Sequence, residues 1–202
     1  MALACGVIGD AEWVYRLPSA EVAAGEYLVI HLARPEEPGW ADETGTDRSA
    51  SGGPDASPEG RDFWYPGSAT LVKGSGALAL YGSPSSRIMD AFLYTDRTSA
   101  SDEDYGGFGS AKLKRRAEAV IAFGAWKAEG GARPEACASS AGTTETRTIC
   151  RGSDSADSDS AADWHVVPTK GASFGRANSD ERYEPAAKAV AAKAASVKAA
   201  RR

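Results

Sequence analysis

The chain has 202 residues, 42% of them apolar, with 22 glycines, 10 prolines and a formal net charge of −5. That length holds one full domain with decorations, the Gly and Pro content predicts many turns, and no apolar run is long enough to span a bilayer. The charge is uneven: Lys188, Lys193, Lys198, Arg201 and Arg202 follow Pro185 with no acid among them, so the first 184 residues carry 18 basic against 28 acidic groups, a body that repels phosphate backbones and argues against broad nucleic-acid binding.

The opening Met-Ala-Leu-Ala-Cys-Gly looks like the cleavage end of a lipoprotein signal, with Cys5 as the residue to be lipidated. A working signal needs a charged region and an apolar stretch before that cysteine. Only four residues precede it, and a start site placed too far downstream accounts for the pattern better. Ala11, Trp13, Tyr15 and Leu17 then alternate with Glu12, Val14 and Arg16, the period of a half-buried strand, ended by Pro18. Residues 26–33 (EYLVIHLA) are almost continuously apolar and predict a central strand covered on both sides. Residues 33–61 are nearly all breakers and charges, with Trp40 as the single large apolar anchor, and predict a long mobile loop.

Four further short strands are expected at 62–65, 69–73, 77–81 and 87–94, separated by Gly-Ser or Pro-Ser turns as in an antiparallel meander. An insertion at 95–143 opens with an acidic, Gly-rich loop. Within it Leu113, Ala117, Val120, Ile121 and Gly124 share one face at helical spacing, with Ser110 available as the N-cap. Residues 144–151 (TETRTICR) return to period two, and 163–167 (DWHVV) form the last strand. The tail, 183–202, is rich in Ala and Lys and favours an exposed, marginal helix on propensity alone. These elements predict an all-β sandwich over residues 1–182, with an inserted helix and an Ala/Lys-rich helical tail.

The chemistry-bearing residues assemble into no catalytic set. His31 lies in mid-strand, and His165 lies between Trp164 and Val166 and points to the opposite face from both. No Gly-x-Ser-x-Gly elbow is present to hold a nucleophile. Asp154, Asp157, Asp159 and Asp163 are the only candidate metal ligands, for Ca²⁺. Their spacing lacks the glycine and the closing glutamate of an EF-hand loop, so a solvated linker of turn-forming Asp and Ser is the first reading. Cys137 and Cys150 bracket a Ser/Gly/Thr-rich stretch and form a candidate disulfide, with two free thiols as the equal alternative. Lys112–Arg116 is the one basic cluster of the body and sits in the first turns of the expected helix, where the macrodipole disfavours cations. A solvated helix face is its first reading; contact with an acidic lipid or nucleic acid is the second.

Three stretches in order resemble the lamin-tail domain in its bacterial, spirochaete-like versions. They are Gly25–His31 (GEYLVIH), Met89–Tyr94 (MDAFLY), and Thr146–Arg151 followed by the acidic loop, Ala162-Asp163-Trp164 and Pro168–Asn178. The resemblance implies an immunoglobulin-like antiparallel sandwich that carries no catalytic residues of its own. It also implies one or more strands ahead of Trp13 that this sequence does not show, and hence an open edge that invites dimerisation. The implied function is a non-enzymatic module of an exported or surface-associated bacterial protein, binding a protein or cell-surface component and no small-molecule substrate or cofactor. The alternatives are a metal-dependent hydrolase or nuclease using the 154–163 aspartates, and nucleic-acid binding through the basic tail.

Overall fold

A computed structural model of the chain describes residues 2–3, 7–33, 40–45, 56–57, 59–82, 87–98 and 104–185. At its centre is a five-stranded sheet of order β3-β2-β7-β8-β9, formed by Val14–Arg16, Val7–Gly9, Ser75–Tyr81, Ile88–Thr95 and Ala138–Ser139. All its pairings are antiparallel except β8 with β9. Three two-stranded ladders accompany it: β1 (Ala2–Leu3) with β4 (Ala20–Glu21), β5 (Leu28–His31) in parallel with β6 (Arg61–Trp64), and β10 (Ile149–Arg151) antiparallel to β11 (Trp164–Val166). The protein is therefore β-rich, with mixed pairing and, among the described residues, one α-helix.

The two faces of the central sheet differ in side-chain size, and that difference decides what packs on each. Along β7 and β8 the cross-strand pairs Ala79 with Ala91 and Ala77 with Leu93 fall on one face. Three of those four are alanines, so a helix backbone can approach closely, and α1 (Ala111–Ala122) lies there with Ala117 and Val120 fully buried. The helix starts where the sequence places it: the Ser110 hydroxyl accepts from the Leu113 amide at 3.1 Å. It ends at Gly124, whose φ of +76° is the left-handed conformation that closes a helix without a Cβ penalty. Trp126 then completes the layer, 1% exposed, and its indole donates to the Ala136 carbonyl at 2.8 Å.

The opposite face carries the large side chains. Ile8, Tyr15 and Leu80 share a register there and meet Phe63 of β6 and Leu28 and Ile30 of β5 in a second apolar cluster. Further along the same face, Phe92 stacks on Tyr94 (ring centroids 4.9 Å apart) and on Trp164 (4.0 Å), which seats the β10–β11 ladder on β8.

Several expectations change. The alternation over 11–17 holds in full, with Tyr15 and Leu17 buried and Val14 and Arg16 exposed, but β2 was not anticipated: Val7–Gly9 fills the place between β3 and β7. Residues 26–33 form no central strand. Among the described residues β5 has one strand partner, β6, and it is half-buried throughout. Residues 69–73 form no strand at all. The described part of the 33–61 loop is tied down instead of mobile, since Asp42, Glu43 and Ser57 all bond to β6.

Candidate functional site

A cavity of about 980 Å³ forms a groove on the sheet face away from the helix. Phe92 and Tyr94 of β8 make its floor, residues 71–73 one wall and residues 143–149 the other, and Phe174 overhangs it. Each wall is fixed to the sheet by hydrogen bonds. The Tyr94 hydroxyl donates to the Val72 carbonyl at 2.9 Å, and the Ser140 hydroxyl to the Lys73 carbonyl at 2.8 Å. The Thr143 hydroxyl donates to the Ser140 carbonyl at 2.8 Å and the Arg147 guanidinium to the Gly142 carbonyl at 2.9 Å. Burial, assisted by the charge of Asp10, pushes the Tyr94 phenol up to about 12, so it serves as a neutral donor across the working range.

Among the described residues eight large apolar side chains are exposed, and three of them, Leu71, Val72 and Phe174, stand round this one groove. Phe174 is the most exposed of the eight, at 66%. It is held out by the next residue. Gly175 has φ +69° and lies so close to Ser57 and Gly60 that a Cβ there would collide with the Ser57 hydroxyl. The groove's polar groups are the hydroxyls of Thr143, Thr144, Thr146 and Thr148 with Lys73, Glu145 and Arg147. A mostly apolar trough with a few hydrogen-bonding groups suits a ligand that presents both apolar side chains and peptide-like polar groups.

None of the chemistry-bearing candidates (the two histidines, the four aspartates, Cys137, Cys150 and the Lys112–Arg116 cluster) lines this groove, although the second and third stretches of the resemblance supply Phe92, Tyr94, residues 146–149 and Phe174. His31 bonds through Nε2 to the Asp62 carboxylate at 2.7 Å and stacks on Trp64 with ring centroids 3.7 Å apart. Trp40 packs on the other ring of that cluster, 4.4 Å from Trp64, and so does anchor its loop. Asp62, wholly buried, also accepts from the Ser57 amide at 2.7 Å, and its own amide donates to Glu43 at 2.8 Å. Beside it Arg61 forks onto Glu26 at 2.9 and 3.1 Å and donates to the carbonyls of Glu43 and Gly45. Among the described residues this buried network places no nucleophile in contact with His31. It fastens Glu26, Asp42, Glu43, Gly45 and Ser57 to β6.

The four aspartates do not converge on a common point. Asp154 accepts from the Ala156 amide, and Asp157 accepts from the Asp159 amide and pairs with Arg151 at 3.1 Å. Asp163 closes a capping box with Ser160 and accepts from the Ser158 hydroxyl at 2.6 Å. Burial alone would raise Asp163, but the Ser158 hydroxyl and the Ser158 and Ser160 amides outweigh it and hold the carboxyl below its ordinary value. Among the described residues no group of three or more His, Cys, Asp or Glu side chains is placed to hold a metal ion. Local turns and the Arg151 pair use the carboxylate oxygens of Asp154, Asp157 and Asp163 one by one.

The candidate disulfide is likewise absent: Cys137 and Cys150 are both free. Cys137 sits under the helix layer and donates to the Arg133 carbonyl, whereas Cys150 lies on β10 opposite His165. Burial, with a smaller contribution from Glu135, pushes the Cys137 thiol up to about 12. The basic cluster is also committed in part. Lys112 pairs with Glu12 at 3.1 Å, and Arg116 donates to the Gly9 carbonyl at 2.9 Å with its guanidinium over the Tyr81 ring. Cys5 and the basic residues after Pro185 lie outside the described residues. No described helix is long and apolar enough to cross a membrane.

Leu71, Val72 and Phe174 carried no signal of a site in the sequence, because a groove assembled from three distant segments leaves no local pattern. Asp62 did carry one. A lone carboxylate in Asp-Phe-Trp-Tyr must find partners once the strand is buried.

No curated protein and no solved structure matches the chain. A family model named TP_1001_2nd and described as a protein second domain matches residues 1–166, well over half of the sequence. The chain belongs to that second-domain family.

Proposed function

We propose that this protein is a non-enzymatic interaction module of an exported or surface-associated bacterial protein, and that the groove over Phe92 and Tyr94 takes an extended peptide segment of a protein partner. The observation that carries the reading is the clustering of Leu71, Val72 and Phe174 around a trough of about 980 Å³, since exposed apolar groups concentrated in one place mark interaction surfaces. The threonine hydroxyls of the 143–148 wall and the side chains of Lys73, Glu145 and Arg147 would meet peptide carbonyls, amides and charged ends. The ordered resemblance of residues 25–31, 89–94 and 146–178 to the immunoglobulin-like lamin-tail domain favours a binding module over an enzyme. The capture of His31 by Asp62 and the scattered use of the 154–163 aspartates favour it too.

The test is selection of a displayed random-peptide library on the immobilised protein, repeated on a Val72→Asp/Phe174→Asp double variant and on Val14→Asp, an equally exposed apolar site outside the groove. Enrichment of common sequences on the wild type and on Val14→Asp, lost on the double variant, supports the reading. Absence of enrichment, or enrichment indifferent to the groove substitutions, overturns it.

A further inference from the structure

We propose that Cys150 and His165 form a latent thiol–imidazole pair, held inactive by the strap of residues 179–184 and able to react with soft electrophiles once that strap lifts. This stands independently of the groove. Cys150 and His165 face each other across the β10–β11 ladder, with Sγ 3.8 Å from Nε2 and both side chains buried. One carbonyl lies against both. The Ser179 oxygen accepts from His165 Nε2 at 2.8 Å and lies 3.9 Å from the Cys150 sulfur. A carbonyl only accepts, so Nε2 must carry the proton, and a neutral imidazole in that tautomer cannot take a proton from the thiol. The other ring nitrogen, Nδ1, is buried with no hydrogen-bond partner. A polar ring 94% buried and left with an unsatisfied nitrogen is costly to fold for structure alone.

The strap is lightly held. Residues 179–185 pair with no strand, and Asp180, Glu181 and Arg182 are exposed. Its anchors are the Asp180 carboxylate on the Ser153 amide and hydroxyl (2.7 and 2.6 Å), the Tyr183 amide on the Val166 carbonyl (2.7 Å), and the Tyr183 ring under the Arg147 guanidinium (4.0 Å). The charged groups of the strap that act on the pair are Asp180 and Arg182. Burial and then Asp180 raise the Cys150 thiol, while the Ser179 backbone and Arg182 oppose them. Few backbone bonds and high exposure are the marks of a segment that opens ahead of the core.

When the strap lifts, Ser179 withdraws its oxygen and water reaches the ring. The imidazole proton is then carried on Nδ1, and the free Nε2 lone pair accepts the Cys150 thiol proton. The thiolate attacks the electrophilic carbon. With iodoacetamide the S–C bond forms as the C–I bond breaks, and iodide leaves with the electron pair.

The experiment is alkylation of the full chain by iodoacetamide, read at each cysteine by peptide mapping, for wild type, Asp180→Ala and Asp180→Ala/His165→Gln. Cys137, buried on another element, reports any general loosening. Release of the strap should raise the Cys150 rate at neutral pH on the order of tenfold with Cys137 unchanged, and the second substitution should reverse the gain. A Cys150 rate that rises only in step with Cys137 overturns the proposal, as does a rate indifferent to His165→Gln. Should Asp180→Ala unfold, alkylation of the wild type across low denaturant concentrations decides. Cys150 must open well below the denaturant concentration at which Cys137 does, and coincident opening of the two refutes the strap.

Discussion

Replacing Asp62 tests whether the buried network, rather than apolar packing alone, holds residues 40–45 and Ser57 on β6. The carboxylate is fully buried and bonds to His31 Nε2 and to the Ser57 amide, each at 2.7 Å. Hydrogen bonds to a charged group contribute about 1.5–3 kcal/mol each, and removing one partner of a buried pair costs about 3–5 kcal/mol because the other is left unpaired. His31 keeps 17% of its side chain exposed, so water compensates part of its loss and Asp62→Ala belongs at the lower end, about 3–4 kcal/mol. For a chain of this size that lowers Tm by about 10 °C. Asp62→Asn preserves the shape. Its oxygen accepts from Ser57, and its amide donates to His31 once that ring carries its proton on Nδ1, so the expected loss is only about 1 kcal/mol. Urea titration followed by tryptophan emission is the natural assay, since Trp40 and Trp64 lie 4.4 Å apart at this network. A loss under about 1 kcal/mol for Asp62→Ala, or equal losses for the two variants, would refute the reasoning.

Three other outcomes follow from the packing and the turns. Ser110→Ala should cost about 1 kcal/mol in thermal melts by removing the cap of α1, and an unchanged Tm counts against the cap. Ala117→Leu should cost about 1–3 kcal/mol, because the helix rests on a face of alanines with no room for three added carbons, so a stabilised variant contradicts that packing. Asp163 has a folded pKa below its unfolded value, so its contribution is present above about pH 3.9 and is lost as the pH falls through the folded value. Asp163→Ala should therefore be less stable than wild type at neutral pH, with the gap closing as the pH falls below about 3.9. A gap that stays constant with pH excludes the carboxylate as its source.

What the sequence reveals here depends on how local the cause is. The alternation at 11–17 and the face of Leu113, Ala117 and Val120 are set within a few residues, and both appear in the structure as read, down to the Ser110 cap. β2 is three residues ending in glycine, too short to show a period, and it is a strand only because β3 and β7 flank it. β5 was misplaced because a continuous apolar run means burial on both sides without saying what does the burying. The acidic loop at 152–163 was legible as turns, since Asp and Ser bond to backbone two or three positions away. The groove, the Asp62 network and the Cys150–His165 pair each join segments far apart in sequence, so no window could contain them.

The position of β2 also bears on how the chain is made. Val7 pairs with Tyr81, and Gly9 with Ala79. A nascent chain emerging from the ribosome can form the β2–β3 hairpin early, but that hairpin is a two-stranded ribbon of marginal stability with Ile8 and Tyr15 open to water. Its partner strand arrives only after the whole of the 33–61 segment and β6 have been synthesised. High contact order of this kind slows folding and lengthens the interval in which an apolar edge is available to other molecules. The net negative charge of the body opposes association between copies while that edge is open.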